Sequence, residues 1–403
     1  MRTTVGIVGA GPAGLLLARL LHLAGVDCVV LEARDRAYAE ARQRAGMLEQ
    51  STVDVLRACG AGDRLDREGL FHDGIEIRFD GRAHRIDLAA HTGGRQATIY
   101  AQTEIVKDLV ALRLKDAQPL LFEARAVAVE RADTARPAVR YVHDGAEHLL
   151  ECDYVAGCDG SYGVTRRALP ADRTRVYEHT YPYSWLGVLA DVPPTHHELV
   201  YAAHERGFAL YSMRTPAVSR LYLQVPAGTD PADWPDERIW DELAVRYAAG
   251  DGPPLRRGPI TARSLTPMRT RVTEPMRHGR VLLAGDAAHI VPPTGAKGLN
   301  GAVADAVTLA EALALWHRTG AERLLDAYSD TCLHRVRQAV RFSRDLTDLL
   351  HTRPDRDESA DRSRTARLRR LLGSPGTVAA LAHEYTGLWS PWCPAAPTGD
   401  GGG

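Results

Sequence analysis

Four things are scarce in this chain, and each scarcity excludes a class of function. It has six cysteines (Cys28, Cys59, Cys152, Cys158, Cys332 and Cys393), scattered with no Cys-x-x-Cys pair, and its histidines do not cluster. That argues against a metal centre or a disulfide scaffold and for a reducing compartment, hence a cytoplasmic protein. Charge of one sign is not in excess: the net charge is −1, so no long-range field draws in nucleic acid or an anionic membrane surface. No apolar run reaches the length of a membrane span. Repeats are absent too. What remains is an ordinary globular balance, 45% hydrophobic and 25% charged over 403 residues. That length exceeds what one core serves, so two or three domains are expected.

Against this background three glycine-acid motifs stand out. Val5-Gly-Ile-Val8 reads as a short buried strand and runs into Gly9-Ala-Gly11-Pro-Ala-Gly14. Leu16, Leu17, Leu20, Leu21 and Ala24 follow at helical spacing, and Cys28-Val-Val-Leu31 is a second strand ending at Glu32. Strand, tight glycine turn, helix, strand and acid form the dinucleotide-binding unit. The glycines admit a pyrophosphate and Glu32 accepts from ribose hydroxyls. Further on, Cys152-Asp-Tyr-Val-Ala-Gly-Cys closes on Asp159-Gly160. Last, Val281-Leu-Leu-Ala ends in Gly285-Asp286, and Pro292-Pro293 stiffens the turn before a helix begins near Gly298. Gly295, Gly298 and Gly301 are expected to let backbone approach a flat ligand. Asp286 can accept from a polyol, and the positive helix N-terminus suits an electron-poor ring, a description that fits a flavin.

The middle of the chain changes character. From Tyr181 to Val225, runs rich in Tyr, Leu, Val and Trp between short polar turns predict a mainly antiparallel sheet. Alternation puts Ser212 and Arg214 on one face, and Arg220, Tyr222 and Gln224 on one face. A five-residue turn, Thr215 to Ser219, would pair Arg214 with Arg220 and set Ser212 opposite Tyr222. Two guanidinium groups facing each other repel. A bound carboxylate relieves this. An exposed face with two solvated arginines fits the hairpin equally well, so the hairpin alone names no anion.

The order Gly-x-Gly-x-x-Gly, Asp-Gly, Gly-Asp resembles the FAD-dependent aromatic hydroxylases (group A flavoprotein monooxygenases), and the likeness runs from Arg2 to about Gly387. It implies an α/β architecture: a Rossmann-like FAD-binding domain (1–72, 97–175 and 268–345), an antiparallel substrate-binding sheet domain (73–96 and 176–267), a C-terminal helical region (346–395) and a disordered tail (396–403). The activity it implies is hydroxylation of 4-hydroxybenzoate to 3,4-dihydroxybenzoate with NAD(P)H and O2 through a flavin C4a-hydroperoxide. Sister enzymes acting on other hydroxy- or aminobenzoates are the nearest rival, and a non-catalytic FAD-fold binding protein is a remote one. Met47 and Tyr211 lie near family pocket positions and could reshape the cavity.

The resemblance also assigns roles. Ser212, Arg214 and Tyr222 hold the substrate carboxylate, while Tyr201 and Tyr385 line the phenol end with His72 behind them as a proton relay. A histidine suits that place because its pKa lies near neutrality. Pro293, Thr294 and Lys297 bring the flavin-side loop to the ring. Lys297 would favour a phenolate. Around FAD stand Arg42, Arg44, Gln102, Asp159, Arg220, Leu299 and Asn300, besides the glycines, Glu32 and Asp286. Arg34, Tyr38, Tyr162 and Arg269 fall where the nicotinamide nucleotide is met. Ala33 stands where a relative carries Arg, Asp35 adds negative charge, and Tyr162 replaces a His. NADPH is favoured over NADH, and a homodimer is the family's common state.

Overall fold

A computed structural model describes residues 1–42, 46–250, 252–353 and 358–387. Arg44 and the expected tail 396–403 lie outside the described residues. The run Arg2–Val8 is the centre of a mainly parallel sheet. Cys28–Leu31 lies on one side of it and Ala146–Gly157 on the other, with Val281–Leu283 beyond. Cys28–Leu31 and Val281–Leu283 are buried at every position rather than alternately, the pattern of strands covered on both faces. The register pairs Val8 with Gly157 and Gly157 with Leu283. The three glycine-acid motifs therefore meet at one carboxyl edge of the sheet, where ligands of open α/β sheets bind.

Pro12–Leu23, Gln102–Lys115 and Lys297–Thr319 are three helices of this lobe, and Leu16, Leu17, Leu20 and Leu21 are all buried as their spacing predicts. Lys297–Thr319 is a longer apolar stretch than the sequence reading allowed: by length and composition it could cross a membrane. Its most apolar window is 72% buried inside the molecule, which makes it the helix at the heart of this core.

The second sheet has eight strands, antiparallel except where Leu199–His204 runs parallel to Gly74–Phe79. Its strand Ile260–Glu274 runs across the boundary expected at 267/268. Alternation divides the side chains cleanly. Tyr201, Phe208 and Leu210 face a core shared with Leu346 and Tyr385 from the C-terminal helices. Val200, Ala209 and Tyr211 face the opposite side, against Ile239, Trp240 and Leu243 of the helix Asp236–Tyr247. Tyr211 therefore points away from the face that carries Tyr201, and the expectation that it shapes the cavity is overturned; Met47 does lie in the Tyr201 core. The C-terminal helices are Arg323–Leu350, Glu358–Gly373 and Pro375–Thr386. Glu358–Gly373 is rich in charge, yet Leu368 is fully buried and anchors it.

Candidate active site

At the carboxyl edge the three glycines of the first turn do different jobs. Gly9 has φ +105°, and a Cβ there would lie 2.3 Å from the Cys158 carbonyl oxygen. At Gly14 a Cβ would sit 2.0 Å from the carbonyl of Gly9. These two let strand and helix close on each other. Gly11 alone opens on space, with nothing within 4 Å of an added Cβ. The helix that follows has no side-chain cap and no acid in its first turn, so its free N–H groups are left for an anion. Lys297–Thr319 begins in the same way, without a side-chain cap, from Ala296 at φ 52°. Two uncapped helix starts on one edge, with exposed Asp286 just beyond the turn at Gly285 (φ +61°), fit a dinucleotide carrying an anionic middle and a polyol.

The acids of this edge are already tied into the fold. Glu32 accepts from the backbone N–H of Ala10 at 2.8 Å and of Arg34 at 3.0 Å. Asp159 takes the N–H of Thr165 at 2.9 Å and its hydroxyl at 2.5 Å. Burial raises the Asp159 pKa against the pull of those bonds. Arg42 is exposed, and Gln102 is the half-buried first residue of its helix. In the flavin-side loop one expectation fails. A Cβ at Gly295 would lie 2.5 Å from Ser343 Oγ and 3.0 Å from the Phe342 ring, so this glycine makes room for the helix Arg323–Leu350 and not for a flat ligand. Gly298 has its nearest neighbour at 3.9 Å. Asn300 locks the loop. Its oxygen accepts from the Glu49 N–H (2.9 Å) and the Thr52 hydroxyl (2.8 Å), and its nitrogen donates to the carbonyls of Met47 (3.2 Å) and Ala296 (2.8 Å). Leu299, beside it, is buried.

In the hairpin the observed register differs from the expected one by two residues. Ser212 lies opposite Arg220 and Leu210 opposite Tyr222, and Thr215 pairs with Val218 across a two-residue turn, with an irregularity at Arg214. The chain stays in strand as far as Thr215 and resumes at Val218, so the turn is tighter than five residues. A shift of two leaves every side chain on its expected face. Ser212, Arg220 and Tyr222 therefore still share the face that carries Tyr201, while Arg214 sits at the irregularity. Ser212 and Tyr222 are largely buried, and the Arg220 guanidinium lies 5.2 Å from the centre of the Tyr222 ring. Burial, helped by the neighbouring Arg220 charge, lowers the Arg214 pKa. The site is thus short of negative charge.

Across three adjacent strands Tyr201, Leu210 and Tyr222 form one row. Tyr201 and Tyr385 hydroxyls meet at 2.7 Å, and Tyr201 also reaches the Thr294 carbonyl at 3.4 Å. Burial pushes the Tyr201 pKa up to about 12, with the Tyr385 bond opposing, and pushes Tyr385 higher still. His72 is 2% exposed, and neither ring nitrogen has a partner among the described residues. Its burial lowers the pKa to about 4, away from the near-neutral value expected. Lys297 is not a bare cation either. It pairs with Glu49 at 2.5 Å and donates to the carbonyls of Glu384 (2.5 Å) and Tyr385 (3.2 Å), with both charged side chains 2% exposed. Thr294 accepts from the Thr347 hydroxyl at 2.8 Å, and Pro293 opens the 3-10 turn that sets this loop.

On the exposed surface two arginine–tyrosine pairs form: Arg34 over Tyr38 at 5.2 Å and Arg269 over Tyr162 at 5.3 Å. Tyr162 is 80% exposed, which leaves its ring open to a ligand. Sequence reasoning missed Glu49, Thr103, Asp305 and Thr347. Asp305 was findable, since an acid in the apolar helical run Gly301-Ala-Val-Ala-Asp-Ala-Val307 needs a partner; it accepts from His289 at 2.6 Å and from the Gly285 N–H at 3.0 Å. Glu49 was not, because its partner Lys297 is remote in sequence.

Residues 2–343 match the profile of the family described as an FAD binding domain. The p-hydroxybenzoate hydroxylase of Acinetobacter baylyi is 45% identical over 388 residues, 96% of each chain. The 3-amino-4-hydroxybenzoate 2-monooxygenase of Streptomyces cremeus is 29% identical over 90% of this chain and 91% of that one. Among solved structures, p-nitrophenol 4-monooxygenase from Pseudomonas putida superposes with a TM-score of 0.79 at 20% identity, covering 96% of this chain and 99% of that one, and shares the fold. The chain belongs to the FAD-dependent aromatic hydroxylases, the group A flavoprotein monooxygenases. It is a monooxygenase whose cofactor is FAD.

Proposed function

We propose that the chain hydroxylates 4-hydroxybenzoate, with the stoichiometry 4-hydroxybenzoate + NAD(P)H + H⁺ + O2 giving 3,4-dihydroxybenzoate, NAD(P)⁺ and water. The observation that carries this reading is the row Tyr201–Leu210–Tyr222. It spans two strand spacings, about 10 Å, with a hydroxyl pair at one end and Ser212, Arg214 and Tyr222 at the other. A para-substituted ring with a carboxylate at one end and a hydroxyl at the other fits between them. The Acinetobacter relative, a p-hydroxybenzoate hydroxylase, supports the same substrate.

When bound, FAD supplies the redox chemistry, taking electrons from the nicotinamide and activating O2. The chain does the rest. Arg214 offers a forked pair of N–H groups to the carboxylate, and Ser212 and Tyr222 add single bonds. Phenols titrate near pKa 10, so the site must draw the proton from the ring hydroxyl. With its own pKa near 12, Tyr201 remains protonated and works as a link: it accepts from the substrate hydroxyl while donating to Tyr385. His72, neutral at pH 7 because its pKa lies near 4, receives the proton only in passing, on its way to solvent. Lys297 acts by fixing the Tyr385 backbone, since Glu49 balances its charge. Asn300 and Pro293 hold the loop over the ring, and the buried surroundings exclude water.

NADPH is the favoured donor, met by Arg34, Tyr38, Tyr162 and Arg269. A homodimer, resting on family resemblance, and a cytoplasmic location, resting on the scattered cysteines, complete the reading. The test is turnover against a panel: 4-hydroxybenzoate, 3-hydroxybenzoate, 4-aminobenzoate and 3-amino-4-hydroxybenzoate, with each nucleotide. Only 4-hydroxybenzoate should accelerate NAD(P)H oxidation with equal formation of hydroxylated product. Equal coupling on an aminobenzoate would move the assignment to a sister activity.

A further inference from the structure

Arg214 stands where the hairpin register shifts, between Met213 and Thr215, so the regular ladder does not set the direction of its side chain. Something else does. Its Nη2 donates to the hydroxyl of Thr103 at 2.8 Å, across 111 residues of sequence. Thr103 is 4% exposed and sits in the first turn of Gln102–Lys115, a helix of the other lobe. Its hydroxyl donates in turn to Glu104 Oε1 at 3.2 Å. Glu104 is itself held, by Lys107 at 2.9 Å and by Arg64. A chain of bonds thus runs from a fixed carboxylate, through one neutral hydroxyl, to the guanidinium. Among the described residues the other nitrogens of Arg214 have no partner.

We infer that Thr103 is a positioning residue for carboxylate recognition: it aims Arg214 at the substrate without neutralising it. Neutrality matters here. An acid in direct contact would satisfy Arg214 and compete with the ligand, and an apolar residue would leave a partly buried guanidinium free to turn away. A hydroxyl backed by Glu104 fixes one edge of the fork and leaves the other edge for an incoming anion. Gln102, next in the chain, begins this helix, which packs on Pro12–Leu23, so the same helix start ties Arg214 to the lobe of the glycine turns. This inference rests on the reading that an aromatic carboxylate binds at Arg214.

The experiment titrates FAD-loaded wild type, Thr103→Val and Thr103→Ser with 4-hydroxybenzoate and with phenol, following the flavin absorbance. Thr103→Val should weaken 4-hydroxybenzoate binding about tenfold and leave phenol binding unchanged. Its KM should rise in proportion while kcat at saturation holds, and Thr103→Ser should restore affinity. Wild-type affinity in Thr103→Val would overturn the inference. So would equal losses for phenol, which mark a general packing defect. If Thr103→Val does not fold, Thr103→Ser and Thr103→Ala decide by the same ratio of carboxylate to phenol affinity. A wild type that binds other benzoates but not 4-hydroxybenzoate would overturn the substrate reading alone, and the comparison then runs on the benzoate that binds.

Discussion

Burial sets the protonation of Tyr201 and His72, and it does so in opposite senses. Tyr201 is held protonated with a pKa near 12, and His72 is held neutral with a pKa near 4. Tyr201→Phe removes the link to the ring hydroxyl but no carboxylate contact. That variant should bind 4-hydroxybenzoate and reduce flavin while releasing hydrogen peroxide in place of product, measured as peroxide per NAD(P)H consumed. For His72 the sign is fixed by comparison with the ordinary value of 6.5. Between 6.5 and about 4 the unfolded chain binds a proton that the folded chain does not, so stability falls as pH drops through that window. His72→Gln should flatten that slope in urea midpoints taken from pH 7 to pH 4.5. Arg214→Ala should weaken benzoate binding by about 3–5 kcal/mol, because a desolvated carboxylate would lose its charge partner. At this scale the sequence showed which residue types were present. It could not show that His72 is dry or that Lys297 is neutralised, since both depend on partners far away in the chain.

Elements carry the geometry, and some were easier to read than others. The helix Pro12–Leu23 followed from leucines at helical spacing, and the strand ends from apolar runs stopping at Gly. The hairpin register did not follow. Pairings that differ by two residues present identical faces, so alternation could not choose between a five-residue turn and the tighter one observed. Gly295 was misread for a similar reason, since a glycine that admits a ligand and one that admits Phe342 and Ser343 look alike in sequence. Asn300 is where one residue holds an element in place. With its side chain removed in Asn300→Ala, the Glu49 N–H and the Thr52 hydroxyl lose their acceptor in a buried setting. The expected cost is about 2–3 kcal/mol, read from the denaturation midpoint, together with faster loss of FAD on dialysis.

For the whole molecule, function depends on two sheets meeting at one edge. The parallel sheet brings three glycine-acid turns together at its carboxyl ends, while the antiparallel sheet turns Tyr201 to the C-terminal helices and brings Arg214 to Thr103 of the first lobe. Lys297, in a buried ion pair with Glu49, ties the first lobe to the C-terminal helices through the carbonyls of Glu384 and Tyr385. Lys297→Met should destabilise by about 3–5 kcal/mol by stranding Glu49, and adding Glu49→Gln should recover most of that loss. The order of motifs made the first lobe legible. The joining of the lobes was not, because Lys297–Tyr385, Arg214–Thr103 and Tyr201–Tyr385 each link residues distant in sequence. The most direct test of the account is the structure of the FAD-loaded protein with 4-hydroxybenzoate bound. The carboxylate should lie on Arg214, Ser212 and Tyr222, with the ring hydroxyl within hydrogen-bond reach of Tyr201. A ligand bound the other way round, or lodged away from that sheet face, would contradict it.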